Sequence, residues 1–331
     1  MNAPEMPDPL PPAESTEEQR IECLSLLASL QNADGGWGFR AGGQSRVEPT
    51  CWAALALFQS SQPKNNDTYR KLQEFLHARQ LPDGSWPTGP AGPEMSGGGW
   101  VTSLACCALA GSAESDQQLR AGLQWICEDF PRDSSPWQRF IRKLRPESHI
   151  SSQSDSYRGW GWTPKTSSWV EPTSFALMAL RESSREKLLK CASQRRESGI
   201  SLLYDRMCPG GGWNCGNPRV YGVDGDALVL PTCWALLALR DAPEKPGRAL
   251  SLAWLQRAFA KIESPGSLAV AEMTLEIYGT QAPVARRSLQ DWSAEEIAEN
   301  GTHVIAWVCM ALDERRSWPG VKQQIIAGAA R

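Results

Sequence analysis

Gln31-Asn32-Ala33-Asp34-Gly35-Gly36-Trp37 and Gln80-Leu81-Pro82-Asp83-Gly84-Ser85-Trp86 both fit Gln-x-x-Asp-Gly-x-Trp. Four fixed residues recurring within one chain mark an internal repeat, and a repeat settles the architecture before any single element does. An apolar segment follows each copy, Val47-Glu48-Pro49-Thr50-Cys51-Trp52-Ala53-Ala54 after the first and Trp100-Val101-Thr102-Ser103-Leu104-Ala105 after the second. Val170-Glu171-Pro172-Thr173-Ser174-Phe175 and Leu230-Pro231-Thr232-Cys233-Trp234 keep the pattern further along. The successive threonines, Thr50, Thr102, Thr173 and Thr232, lie 52, 71 and 59 residues apart. The unit is therefore a helical hairpin with a long connector of variable length.

Each hairpin pairs two kinds of helix. The first runs from about Thr16 to Leu30 with Ile21, Leu24, Leu27 and Leu30 on one face, and Ser15 or Thr16 caps it ahead of Glu17 and Glu18. The second, opening at Pro49, is rich in Ala, Cys and Leu all round, so it is expected to be buried on both sides. The same polar-then-apolar alternation recurs from 69–79 to 102–109, 116–130 to 173–180, 184–207 to 232–239, 247–262 to 268–278 and 293–300 to 303–312. This predicts an all-α fold of about six hairpins, inner and outer helices alternating and closing into a ring, with no need for strands. Residues 1–14, Pro-rich and acidic, are expected to form a disordered arm. Residues 15–331 read as one domain, with a Ser/Pro-rich loop insert near 131–156.

With 34 basic and 37 acidic residues and no basic stripe, nucleic acid is not an expected partner. Fifteen Trp against seven Phe and five Tyr is an unusual aromatic bias, and many of these Trp stand in Gly-rich connectors. Five of the ten Cys (Cys51, Cys106, Cys107, Cys233 and Cys309) lie in the small-residue helices, where Cys acts as a compact hydrophobe. No apolar run approaches the roughly 18 residues of a membrane span, and the first residues lack the pattern of a secretory signal. A reducing cytoplasm is the expected location.

Phe75-Leu76-His77-Ala78-Arg79-Gln80 through Trp86 resembles the QW motif of squalene–hopene and oxidosqualene cyclases; Leu30 through Trp37 is a shortened copy. Gly159-Trp160-Gly161-Trp162 and Gly210-Gly211-Gly212-Trp213 are similar to degenerate copies. The resemblance covers most of residues 16–314 and implies the α/α toroid shared by terpenoid cyclases and the β-subunits of protein prenyltransferases. Gln31, Trp37, Gln80 and Trp86 are then fastenings between hairpins, the Gln capping unpaired N–H groups of a neighbouring helix and the Trp stacking over the connector.

Squalene–hopene cyclases protonate their substrate with an Asp-x-Asp-Asp-Thr segment that opens an inner helix. Here the segments ahead of the threonines are Val47-Glu48-Pro49, Val170-Glu171-Pro172 and Val229-Leu230-Pro231, so the acid triplet is absent. Glu48 and Glu171 stand in the slot of its middle Asp, and Asp224 and Asp226 form the nearest acidic pair; these four are the candidate acids. Their plainer readings are helix N-terminal charges for the glutamates and an Asx-supported turn for the aspartates. Protein prenyltransferases hold zinc through Asp, Cys and His. Cys233 and His303 resemble two of these ligands, but Pro231 replaces the Asp and His303 is one residue out of register. No cofactor is therefore expected, with zinc the alternative that these two residues leave open; His77 and His149 read as solvent-facing.

Two functions remain open. In the first, the ring encloses a polyprenyl or other hydrophobic substrate against Trp52, Trp100, Trp169, Trp213 and Trp234, whose faces stabilise cationic carbon. In the second, the toroid is a non-catalytic scaffold for a protein partner. Peripheral membrane contact is a further expectation, resting on the basic run Arg139 to Lys143 in the insert, although a solvated loop is its plainer reading.

Overall fold

The computed structural model describes residues 13–59, 67–89, 96–110, 115–129, 131, 140, 154, 156–182, 186–283 and 285–313. Most of the expected arm and of the 131–156 insert, His149 among it, lies outside these residues. Twelve α-helices occur among the described residues. They are α1 (Ala13–Ser29), α2 (Val47–Gln59), α3 (Asp67–Arg79), α4 (Gly99–Leu109), α5 (Asp116–Glu128) and α6 (Val170–Ala179). The rest are α7 (Glu186–Asp205), α8 (Val229–Leu239), α9 (Pro246–Phe259), α10 (Pro265–Ile277), α11 (Ala294–Glu299) and α12 (Thr302–Ala311).

The even-numbered helices form the inner layer. Each packs on the next, and α12 returns to α2, so the ring is closed. Their apolar, small-residue sequences suit burial on both faces: Cys51, Ala53, Ala54, Leu104, Ala105, Cys106, Ala235, Leu236 and Ala269 are all in the core. The outer helices α3, α5, α7 and α9 each pack on the inner helix preceding them, and α1 packs on α12, which completes the circle. At that seam the Gln19 side-chain amide donates to Leu289 O (2.8 Å) and Trp292 O (2.9 Å), and Thr302 N–H and Oγ1 donate to Phe39 O (3.0 Å) and Gly38 O (2.7 Å).

Four hairpins share one fastening. The Trp37, Trp86, Trp160 and Trp213 indoles are fully buried and donate to the outer-helix carbonyls of Leu27, Leu76, Ile126 and Leu203. Their backbone N–H groups donate to the hydroxyls of Thr50, Thr102, Thr173 and Thr232 at 2.9–3.0 Å. One Trp thus ties its connector to both helices of its hairpin and leaves no buried donor unpaired. The turn before it needs glycine: Gly84 has φ of +91°, and a Cβ there would lie 2.7 Å from Ala121 O of the next outer helix.

Several expectations change. Gln31 and Gln80 do not accept from helix N–H groups; each donates, to Gly35 O and Thr68 O or to Gly84 O and Gln118 O, all at 2.9 Å. Helix α2 starts at Val47, which places Pro49 inside the first turn, where its missing N–H still costs no helical bond. Ile21 is 52% exposed, because the buried stripe of α1 runs through Cys23, Leu24 and Leu27. Ala13 and Glu14, assigned to the arm, are helical. A small antiparallel hairpin of β1 (Arg219–Val220) and β2 (Val223–Asp224) interrupts the otherwise helical chain. His77 is half-buried rather than solvent-facing, its Nε2 2.9 Å from Ser115 Oγ.

Candidate functional site

Glu48, Trp100, Glu171, Leu230 and His303 are each the second residue of an inner helix and so occupy matching first-turn positions on one face of the ring. One turn deeper, at i+4 from Glu48, Glu171, Leu230 and His303, stand Trp52, Phe175, Trp234 and Trp307. These four meet in the centre. Trp52 stacks on Trp234 (ring centroids 5.6 Å apart) and meets Trp307 (5.4 Å) and Phe175 (5.8 Å), while Trp234 also touches Phe175 (5.3 Å) and Trp307 (5.6 Å). Trp52 is 1% exposed and Trp307 9%, so the cluster is buried.

The contacts continue outward as a band. Phe175 leads to Trp100 (6.4 Å) and Trp100 to Trp162 (5.6 Å) on one side; Trp307 leads to His303 (4.9 Å) and His303 to Phe39 (6.4 Å) on the other. The middle is buried, whereas Trp100, Trp162 and His303 are half-buried and Phe39 is exposed.

The titratable groups above this band are held towards their uncharged forms. Burial pushes the Glu48 carboxyl up to about 7, opposed by the Trp52 side chain, and raises Glu171 likewise. Burial lowers His303, whose Nδ1 is buried without a hydrogen-bond partner. The other candidates do not join them. Asp224 is exposed on β2 and pairs with Arg219 Nε at 3.1 Å, and Asp226 lies exposed at the rim of a separate groove.

Of the candidate lining, Trp52 and Trp234 belong to the central plug, and Trp100 to the band. Trp169 caps α6 and is half-buried. Trp213 is unavailable to a ligand, being fully buried with its indole bonded to Leu203 O. Cys233 is fully buried, its thiol pushed up to about 12 by burial, and no group of three or more His, Cys, Asp or Glu suited to a metal occurs among the described residues. Phe175, Trp307 and Phe39 are not among the lining residues expected from the sequence. The register of Phe175, two residues after Thr173 as Trp52 is after Thr50 and Trp234 after Thr232, was a usable signal for the first.

No protein-family model matches the chain. Among known proteins, drimenyl diphosphate synthase of Streptomyces showdoensis is 23% identical over 272 residues, 72% of this chain and 49% of that protein. Human lanosterol synthase is 35% identical over 72 residues, 19% of this chain and 10% of the enzyme. The chain thus spans about half of the first relative and a tenth of the second. Among solved structures, type II terpene cyclase MstE from Scytonema has a TM-score of 0.53 at 14% identity, covering 80% of this chain and 74% of that one. A variant of MstE was solved with geranylgeranyl dihydroxybenzoate as its substrate. An α-amylase from Clostridium perfringens reaches 0.56 at 11% identity, covering 92% of this chain and 99% of its own. The fold is therefore the α/α toroid, which serves unrelated chemistries. The sequence similarity is to terpenoid cyclases, as the QW motifs implied. No helix among the described residues is long and apolar enough to cross a membrane.

Proposed function

We propose that this terpenoid-cyclase-like protein holds the hydrocarbon chain of an isoprenoid against the aromatic band on its connector face, with Glu48 as proton donor. The observation that carries this reading is the band itself. Aromatic faces attract cationic carbon, and a continuous path of them crosses the ring below a carboxyl group that keeps its proton near neutrality. In the step envisaged, the Glu48 O–H bond breaks, a C–H bond forms at a substrate alkene, and the carbocation is held over Trp100 and Phe175; loss of a proton after ring closure restores neutrality. Burial keeps the proton in place but also weakens the acid, so turnover should be slow beside an enzyme bearing an acid triplet. Sequence similarity to drimenyl diphosphate and lanosterol synthases supports the isoprenoid class.

A second reading is favoured by one observation, the packed centre: Trp52, Phe175, Trp234 and Trp307 fill the space a long substrate would need. A toroid plugged in this way serves as a scaffold for a protein partner. The two separate when the purified protein is incubated with farnesyl diphosphate, geranylgeranyl diphosphate and squalene, with and without Mg²⁺ or Zn²⁺, and the products are extracted. Cyclised product that disappears in Glu48→Gln supports the enzyme. Absence of product in every arm, with no change in tryptophan emission on adding the substrates, removes the isoprenoid reading and leaves the scaffold.

A further inference from the structure

After α1, α3, α5 and α7 the chain carries a long connector with a buried indole, whereas after α9 only residues 260–264 lead into α10. Beside this shortened link opens a groove of about 670 Å³, away from the aromatic band and within the size of small-molecule sites. One wall is a single face of α9 and its end, Trp254, Arg257 and Lys261 at i, i+3 and i+7. Leu228 and Ile262 add apolar surface to the lining. The lining holds two carboxylates, Asp226 and Glu263; Glu263 is paired with Arg286 (3.1 Å), whereas Arg257 and Lys261 have no ion-pair partner among the described residues. With Glu263 paired, the groove brings together two cations against Asp226 and an indole and aliphatic surface from Trp254, Leu228 and Ile262.

We propose that this groove binds a small amphiphile with an oxyanion head, the head taken by Arg257 and Lys261 and the apolar body laid along Trp254, Leu228 and Ile262. Guanidinium and ammonium groups both recognise phosphate and carboxylate oxygens through charge-assisted hydrogen bonds. The site is independent of the isoprenoid reading, since it shares no residue with the band.

The test uses the full chain labelled with 5-fluorotryptophan and followed by ¹⁹F NMR, the Trp254 resonance being assigned as the one missing in Trp254→Phe. Octyl phosphate, octanoate and octanol are titrated in parallel. Saturable movement of the Trp254 resonance with octyl phosphate or octanoate, at least tenfold tighter than with octanol, is expected, and the tighter of the two anions identifies the head group. Arg257→Gln/Lys261→Gln, both at exposed positions, should weaken anion binding at least tenfold while leaving the other resonances in place. Equal response to octanol, unchanged binding in the double variant, or no movement of the Trp254 resonance would each overturn the proposal.

Discussion

The first four hairpins and the last two close the same ring by different means. In the first four, one buried indole and one threonine hydroxyl repeat in each copy and tie connector, outer helix and inner helix together. Hairpins five and six lack that connector and rely on local devices at helix ends. Where hairpin five meets hairpin four, side chains cover the C-terminal carbonyls of α8: Arg248 donates to Leu239 O and Tyr278 OH to Leu236 O, joined by Arg181 after α6, which donates to Leu237 O and Ala238 O. Ser288 and Ser293 supply capping boxes to the short helical turns that follow. A tertiary fastening makes two helices interdependent, while a cap stabilises one end of one helix. The fastened part should therefore behave as one cooperative unit and the remainder as a looser arc.

The largest effect should come from removing a fastening. Trp86→Ala deletes a fully buried indole and its bond to Leu76 O, and should lower unfolding free energy by about 3–5 kcal/mol. Trp292→Ala, in the capped arc, should cost visibly less in the same urea titration, because Arg287 covers that ring from the exposed side. Equal losses would dissolve the distinction between the two parts. Thr102→Val keeps the volume but strips the acceptor from Trp86 N–H; leaving that buried donor unpaired should cost about 1–3 kcal/mol by thermal unfolding.

The acid carried by the fastened part gives a pH signature. Because Glu48 titrates at about 7 in the folded chain and nearer 4.5 unfolded, the folded state holds the extra proton between these values. Stability should fall as pH rises through that window and be unaffected below it; Glu48→Gln should flatten the fall, by on the order of 2 kcal/mol at pH 8. A fall of the same size persisting in Glu48→Gln would place the proton elsewhere. The smallest effect belongs to the capped arc. Ser264→Ala removes the hydroxyl that accepts from Ser267 N–H at the start of α10, and should cost about 1 kcal/mol. Hydrogen exchange resolves the same contrast, with the amides of α11 expected to open before those of α4 and α6.

Much of the ring was legible because repetition amplifies weak signals. Gln-x-x-Asp-Gly-x-Trp read twice identified the connectors, and the Ala, Cys and Leu content of 51–57 and 233–239 separated inner from outer helices. The candidate site was less so. Glu48, Trp100 and Glu171, each two residues before its threonine, and Trp52 and Trp234, each two residues after it, do gather at one face, because a shared offset becomes a shared height in the ring; His303 joins the first set from the last inner helix. Asp224, on the small β-hairpin, and Asp226, just after it, do not: both are exposed. Gln31 illustrates a different gap: the sequence shows that an amide is required, but whether it donates or accepts depends on which backbone atom of the next hairpin faces it.

The sequence by itself determined the repeat, the two kinds of helix and the fastening residues, all of which follow from periodicity and local chemistry within a single hairpin. Tertiary closure decided the rest. Only when α12 meets α2 do four aromatic residues from distant repeats converge in one buried cluster, and burial of the first-turn groups of the inner helices shifts Glu48, Glu171 and His303 towards their uncharged forms. Desolvation is a property of what surrounds a group from every side, and no stretch of the chain carries it alone.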